Sequence, residues 1–209
     1  MTSYPVRDKV NDHLLTSKNA AMIFIDYQPT QISAVSSMDL QLLVDNAVRV
    51  AKMGKAFDLP IILSTVNVKG GQKPSVPPLK EVLSDLKEID RTTINAWEDK
   101  EFLEAVEATG RKKLIMCALW TEACLIFPSL DALRDGYEVY PVVDAVGGTS
   151  LEAHQYALQL TSTHYSSPVR ITTHSSRRRK VRGLGAIIVR ASAGLGSSRH
   201  GPSHETDRL

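Results

Sequence analysis

The chain has 209 residues, 43% of them hydrophobic and 23% charged, which suits one globular domain and excludes collagenous, disulfide-rich and wholly disordered chains. The net charge of +2 averages two unlike segments: residues 1–160 carry 16 Lys and Arg against 21 Asp and Glu, whereas residues 161–209 carry 9 against 2. No window approaches the roughly 20 apolar residues needed to cross a bilayer, so a soluble protein without membrane contact is expected.

Residues 1–18 include Pro5, Asp8 and Asp12 and lack the apolar segment of a secretion signal. The only thiols, Cys117 and Cys124, have a spacing that fits neither a redox pair nor a zinc pattern. A reducing, cytoplasmic setting is therefore expected. The continuous apolar run 20–25, closed by Asp26 and the turn-like Gln28-Pro29, reads as a strand buried on both faces. Residues 40–57 repeat apolar positions at helical spacing, with Leu43, Ala47, Val50 and Ala51 opposite Asp45, Arg49 and Lys52.

Residues 60–65 read as a second strand, and the Gly- and Pro-rich stretch 69–78 as a loop of the kind that overhangs an α/β site. A helix is expected from the N-cap Asp99 to Thr109, with Gly110 at its end, then a strand at 113–119. The next helix is expected from an N-cap at Thr121 to Asp135, stopped by Gly136, followed by a strand at 137–143 ending in Asp144. This alternation predicts a mostly parallel sheet covered on both faces, with ligands beyond the carboxyl ends of the strands. Asp26, residues 120–124 and Asp144 fall at those ends.

The pattern fails after about residue 160. Residues 161–209 contain nine Ser, four of the six His, and the basic run Arg177-Arg-Arg-Lys-Val-Arg182. They read as an atypical, largely disordered tail, in which 184–189 could add a short strand. The division is therefore a domain at 1–160 and a tail at 161–209. The basic run could contact phosphates, but it lacks interleaved aromatics and a folded context, so nucleic acid is not an expected partner.

Cys124 lies in the first turn of a helix that follows a buried strand. The helix dipole there lowers a thiol pKa and favours a nucleophile, and the adjoining N–H groups could hold an oxyanion. The bland reading is a small buried hydrophobe, which also fits Cys117 in mid-strand. Asp26 either caps a loop or faces a site, where a desolvated carboxylate beside a thiol could shuttle its proton. Arg91, by its local sequence, reads as a solvated surface cation or as a third member of such a site.

Asp26-Tyr-Gln28 after an apolar strand, Arg91 before Asn95-Ala-Trp97, Ala118-Leu-Trp-Thr121-Glu-Ala-Cys124 and Phe127-Pro128 resemble, in order and spacing, the isochorismatase-like cysteine hydrolases and their YcaC-type branch. The likeness covers residues 15–160. It implies a flavodoxin- or Rossmann-like three-layer αβα sandwich and a catalytic triad of Asp, Lys and Cys. Asp26 and Cys124 take the first and third places, and Arg91 stands in the lysine's. Arginine keeps the charge but cannot give up a proton, and its planar fork needs more room.

The resemblance also implies a cis peptide between Leu119 and Trp120, and an oxyanion hole from backbone N–H groups near Trp120 and Cys124. Gln28, Asn95, Trp97, Leu119, Trp120 and Thr121 are the expected substrate or oxyanion-hole residues. Members that cleave isochorismate lack this cysteine, so an amidase-like covalent route on a small molecule is the better expectation. Metal-bearing nicotinamidases use an Asp and His set, whereas residues 1–160 offer only His13 and His154, neither in a comparable motif. No metal or other cofactor is expected, and a homo-oligomer from dimer to octamer is. The competing reading, from Arg91 and the unusual tail, is a catalytically impaired scaffold or binding protein.

Overall fold

The computed structural model describes residues 8–163, 169–171 and 188–190. Its centre is β1 (Ala20–Ile25), every residue of which is buried. Alternation sends Ala20, Met22 and Phe24 into one core and Ala21, Ile23 and Ile25 into another, because successive strand side chains point to opposite faces. β2 (Ile61–Val66) and β3 (Glu88–Arg91) lie to one side of β1; β4 (Lys113–Ala118) and β5 (Glu138–Pro141) lie to the other. All four pairings in the order β3-β2-β1-β4-β5 are parallel.

Helices cover both faces, as the three-layer expectation requires. α2 (Leu40–Ala56) sets Leu43, Ala47, Val50 and Ala51 into the first core. Asp39 caps it by accepting from the Leu42 N–H at 2.8 Å. α4 (Lys100–Ala108) sets Phe102 and Val106 into the second core, and Asp99 caps it through the Phe102 N–H at 2.9 Å. Gly110 and Gly136 adopt φ of +63° and +79°, the left-handed geometry that stops helices at low cost. α5 (Ile126–Arg134) and α6 (Leu151–Thr163) complete the helices that matter for the site.

Several elements depart from the sequence expectation. The short helices α1 (Pro29–Ser33) and α3 (Pro77–Val82) occupy stretches too brief for periodicity to reveal. β3 reads Glu-Ile-Asp-Arg, with one apolar residue among three charges, so pairing with β2 rather than its own pattern makes it a strand. The helix expected over 121–135 opens instead as a π-helical turn, Thr121–Leu125, before α5. Pro128 consequently sits in the first turn of α5, where its missing N–H costs little.

α6 runs through residue 160, where a boundary was expected. A two-stranded antiparallel pair joins β6 (Val169–Ile171) to β7 (Ile188–Arg190), so the second overlaps the end of the 184–189 stretch. The rest of the tail reading, including the basic run 177–182, lies outside the described residues. Among the described residues no helix is long and apolar enough to cross a membrane.

Candidate active site

The strand order reverses between β1 and β4, because the chain builds outward through β2 and β3 and then returns to the other side of β1. Beyond the carboxyl ends at such a switch point, the loops diverge and open a crevice. Asp26 leaves β1 there. Its φ of +63° is a region that a non-glycine residue enters only when its surroundings fix it. The surroundings do so: its N–H donates to the Ser64 carbonyl at 3.0 Å, and its own carbonyl accepts from the Gln28 N–H at 2.7 Å.

Arg91 ends β3, paired in register with Val66. Two strand spacings, about 10 Å, separate β3 from β1, a gap only a long side chain crosses. Arg91 Nη2 donates to Asp26 Oδ2 at 2.5 Å, and Nη1 donates to the Thr93 carbonyl. Both side chains of the Asp26–Arg91 pair are 0% exposed, which overturns the solvated-cation reading of Arg91. That reading failed because β3 was not legible as a strand.

Beyond β4, the Leu119–Trp120 peptide is cis, and the π-helical turn carries Cys124, buried at 8% exposure. The thiol interacts with the Asp26 carboxylate and the Arg91 guanidinium. Asp26, Arg91 and Cys124 therefore meet, from the ends of three strands. Asp26 Oδ1 and Arg91 Nε are buried without a hydrogen bond of full geometry. Long or misaligned catalytic contacts of this kind are normal without substrate.

Burial raises the Asp26 carboxyl to about 6, the Arg91 charge opposing the rise. Burial also pushes the Cys124 thiol up to about 12, and the Asp26 charge adds to it. This corrects the expectation of a thiol lowered by a helix N-terminus. Desolvation and an adjoining carboxylate outweigh the helix dipole, and the turn is not a regular α-helical first turn. Above about pH 6 the resting site is thus a neutral thiol beside a carboxylate.

The surrounding residues divide into supports and walls. Gln28 is fully buried; its Nε2 donates to the carbonyls of Val66 and Lys73, and its Oε1 accepts from the Val66 N–H. It therefore ties the 69–78 stretch to the core. Asn95 accepts from the Trp97 N–H and donates to Asp131 at 2.6 Å. The Trp97 indole donates to Asp135 at 2.8 Å and packs on Phe102 and Tyr137, so both residues brace α5. Leu119 is core. Trp120, half-buried, donates to the Gln31 carbonyl at 2.8 Å.

Thr121 does not cap the helix as expected: Trp120 holds that position without a side-chain cap. The Thr121 hydroxyl instead meets His154 Nδ1 at 2.8 Å. Sequence reasoning met His154 only as a histidine outside a metal motif, and no local signal joins it to a residue so far upstream. Among the described residues no group of three or more His, Cys, Asp or Glu is placed to hold a metal ion.

The isochorismatase domain family matches residues 20–173 of the chain. The Probable hydrolase YcaC of Escherichia coli (strain K12) is 37% identical over 134 residues, 64% of each chain, so the match spans just under two thirds of that relative. Isochorismatase domain-containing protein 2 of Xenopus laevis is 28% identical over 116 residues, 56% of this chain and 55% of that one. Among solved structures, YcaC from Pseudomonas aeruginosa with hexane-2,5-diol and covalent acrylamide has a TM-score of 0.73 at 31% identity, covering 80% of this chain and 81% of its own. The Escherichia coli YcaC structure, an octameric hydrolase of unknown specificity, has a TM-score of 0.71 at 33% identity, covering 80% and 79%.

Proposed function

The chain belongs to the isochorismatase family of hydrolases, and from that premise we propose that it is a cysteine hydrolase cleaving an amide-like C–N bond of a small molecule. One observation carries this reading: a carboxylate, a guanidinium and a thiol, all buried, share one contact at the strand-order reversal. A thiol held at about 12 is a poor nucleophile until a base takes its proton, and the adjoining Asp26 carboxylate is that base.

The proposed sequence balances as follows. Asp26 accepts the Cys124 proton while the sulfur attacks the carbonyl carbon, and the electron pair moves to the carbonyl oxygen. Backbone N–H groups near Trp120 and Cys124 hold that oxyanion. Asp26, now protonated, gives its proton to the departing nitrogen as the C–N bond breaks, leaving a thioester. Water attacks the thioester, Asp26 takes the water's proton, and the thiol leaves with it. Arg91 stays charged throughout and fixes the carboxylate by its hydrogen bond; unlike lysine, it takes no part in proton transfer.

The acrylamide adduct belongs to the Pseudomonas aeruginosa YcaC structure; for this chain we expect the analogous addition at Cys124. The octameric assembly likewise belongs to the Escherichia coli relative and supports a homo-oligomer here. Intact-mass spectrometry after incubation with acrylamide and with a panel of small amides tests the function. Covalent adducts that vanish in Cys124→Ala are expected; amide hydrolysis undiminished in Cys124→Ala would overturn the reading.

A further inference from the structure

The turn that carries Cys124 is held by the segment that leads into α6. The Thr121 N–H donates to the Gly147 carbonyl at 2.9 Å, and Leu119 forms a parallel bridge with Gly147. One residue on, Glu122 Oε1 accepts from the Thr149 N–H at 2.8 Å and from its hydroxyl at 2.6 Å. The approach is close: a side chain at Gly148 would meet Glu122 Oε2 at 2.6 Å and the His154 Cβ at 2.9 Å. Ser150 caps the helix start, its Oγ accepting from the Ala153 N–H at 3.1 Å, which fixes where His154 projects.

Within that frame the Thr121 hydroxyl and His154 Nδ1 lie 2.8 Å apart, a second side-chain contact, beside that of Glu122, that reaches the turn between the cis peptide and the nucleophile. Thr121 is fully buried, so its hydroxyl has no access to water as an alternative partner. Leaving it without one is unfavourable, and a turn free to shift would satisfy it elsewhere. The proposed oxyanion donors, near Trp120 and Cys124, flank Thr121 on either side. A shift of about 1 Å there is enough to misplace both.

We propose that His154 is a positioning residue, whose hydrogen bond to Thr121 holds the 119–124 turn so that Cys124 stays in contact with Asp26. The proposal rests on the reading of Cys124 as nucleophile. His154 touches neither the thiol nor the carboxylate and acts through Thr121. Burial holds its ring below the usual histidine range, with the Glu122 carboxylate, the charged group that acts on it, opposing the shift. The ring is accordingly neutral near pH 7, and Nδ1 donates or accepts according to tautomer.

The test reads Cys124 alkylation by iodoacetamide, a probe that needs no amide substrate, alongside thermal stability. His154→Ala should slow alkylation by about tenfold, and Thr121→Val by a similar factor, with the double variant no slower than either alone. His154→Asn, whose amide places a donor and an acceptor near the Nδ1 position, should return the rate to within about threefold of the parent. Thr121→Ser, which keeps the hydroxyl, should do the same and carries the comparison if His154→Ala does not fold. Wild-type alkylation rates in His154→Ala and Thr121→Val would overturn the proposal. So would a rate loss that follows melting temperature and is not restored by Asn. The predicted slowing of alkylation in the variants, together with no hydrolysis of any amide by the parent, would instead fail the hydrolase reading and leave the positioning role supported.

Discussion

Arg91 Nη2 lies 2.5 Å from Asp26 Oδ2, and neither side chain is exposed to solvent. Two opposite charges in a dry interior stabilise little as a pair, yet removing either one strands the other. The ion pair therefore constrains both residues more tightly than a surface bridge would.

Arg91→Met should destabilise the protein by about 3–5 kcal/mol, the usual range for breaking a buried pair from one side. Arg91→Lys should recover most of that loss. Urea denaturation of the three proteins at neutral pH checks both; equal midpoints would contradict the pairing.

The same substitution should move the pH profile. The guanidinium is the main influence holding Asp26 down against burial, so Arg91→Met should shift the acidic limb of Cys124 alkylation above its parent position near pH 6, whereas Arg91→Lys should leave it in place. Rates of alkylation across the pH range measure this directly. Since the thiol sits at about 12, the parent profile should rise through about 6 and then stay flat well past neutrality.

Stability should respond to pH in the opposite sense. The folded Asp26 carboxyl is raised from 3.8 to about 6, so the folded state binds the proton more tightly than the unfolded one. That contribution is complete below 3.8 and is lost as pH rises through about 6, a difference of about 3 kcal/mol. Asp26→Asn should lack this component. Denaturation at about pH 4 and about pH 8 should show a smaller change for the variant than for the parent.

Asp26→Asn should also slow Cys124 alkylation at neutral pH by about a hundredfold, the lower range for removing a general base. Competing accounts in which the thiol ionises unaided predict the reverse: the carboxylate's charge raises the thiol, so its removal would speed the reaction.

Gln28→Leu tests whether the Gln28 amide serves the fold. It loses three hydrogen bonds, to the Val66 carbonyl, the Lys73 carbonyl and the Val66 N–H, at about 1 kcal/mol each. Calorimetric melting should fall accordingly, and proteolysis should increase within residues 69–78. Unchanged stability with a raised KM would identify Gln28 as a substrate contact instead.

The elements visible in the sequence were those whose own pattern is strong. β1 is six apolar residues bounded by Asn19 and Asp26; α2 announces itself by a stripe of core residues, and α4 by its capping Asp99. β3 was invisible because three of its four residues are charged. Its strand character comes from the neighbour it pairs with. The π-helical turn was invisible for a similar reason, since Thr-Glu-Ala-Cys-Leu is an ordinary helical composition, and residue types do not reveal a bond reaching five residues back, from the Leu125 N–H to the Trp120 carbonyl at 3.2 Å.

The sequence by itself determined the alternation of strands and helices, the burial of β1 on both faces, and the candidacy of Asp26 and Cys124, because periodicity and capping are local properties. Family resemblance within the sequence added Arg91 and the cis peptide at Leu119–Trp120. Only the tertiary structure decided what those residues experience. The strand order brings β3 within one arginine's reach of β1, and burial then raises both the carboxyl and the thiol, reversing the reactivity inferred from helix position alone. The His154 contact with Thr121 is likewise a product of the return of α6 onto the 119–124 turn. Desolvation and long-range packing set these features, and neither is written in the spacing of residues along a chain.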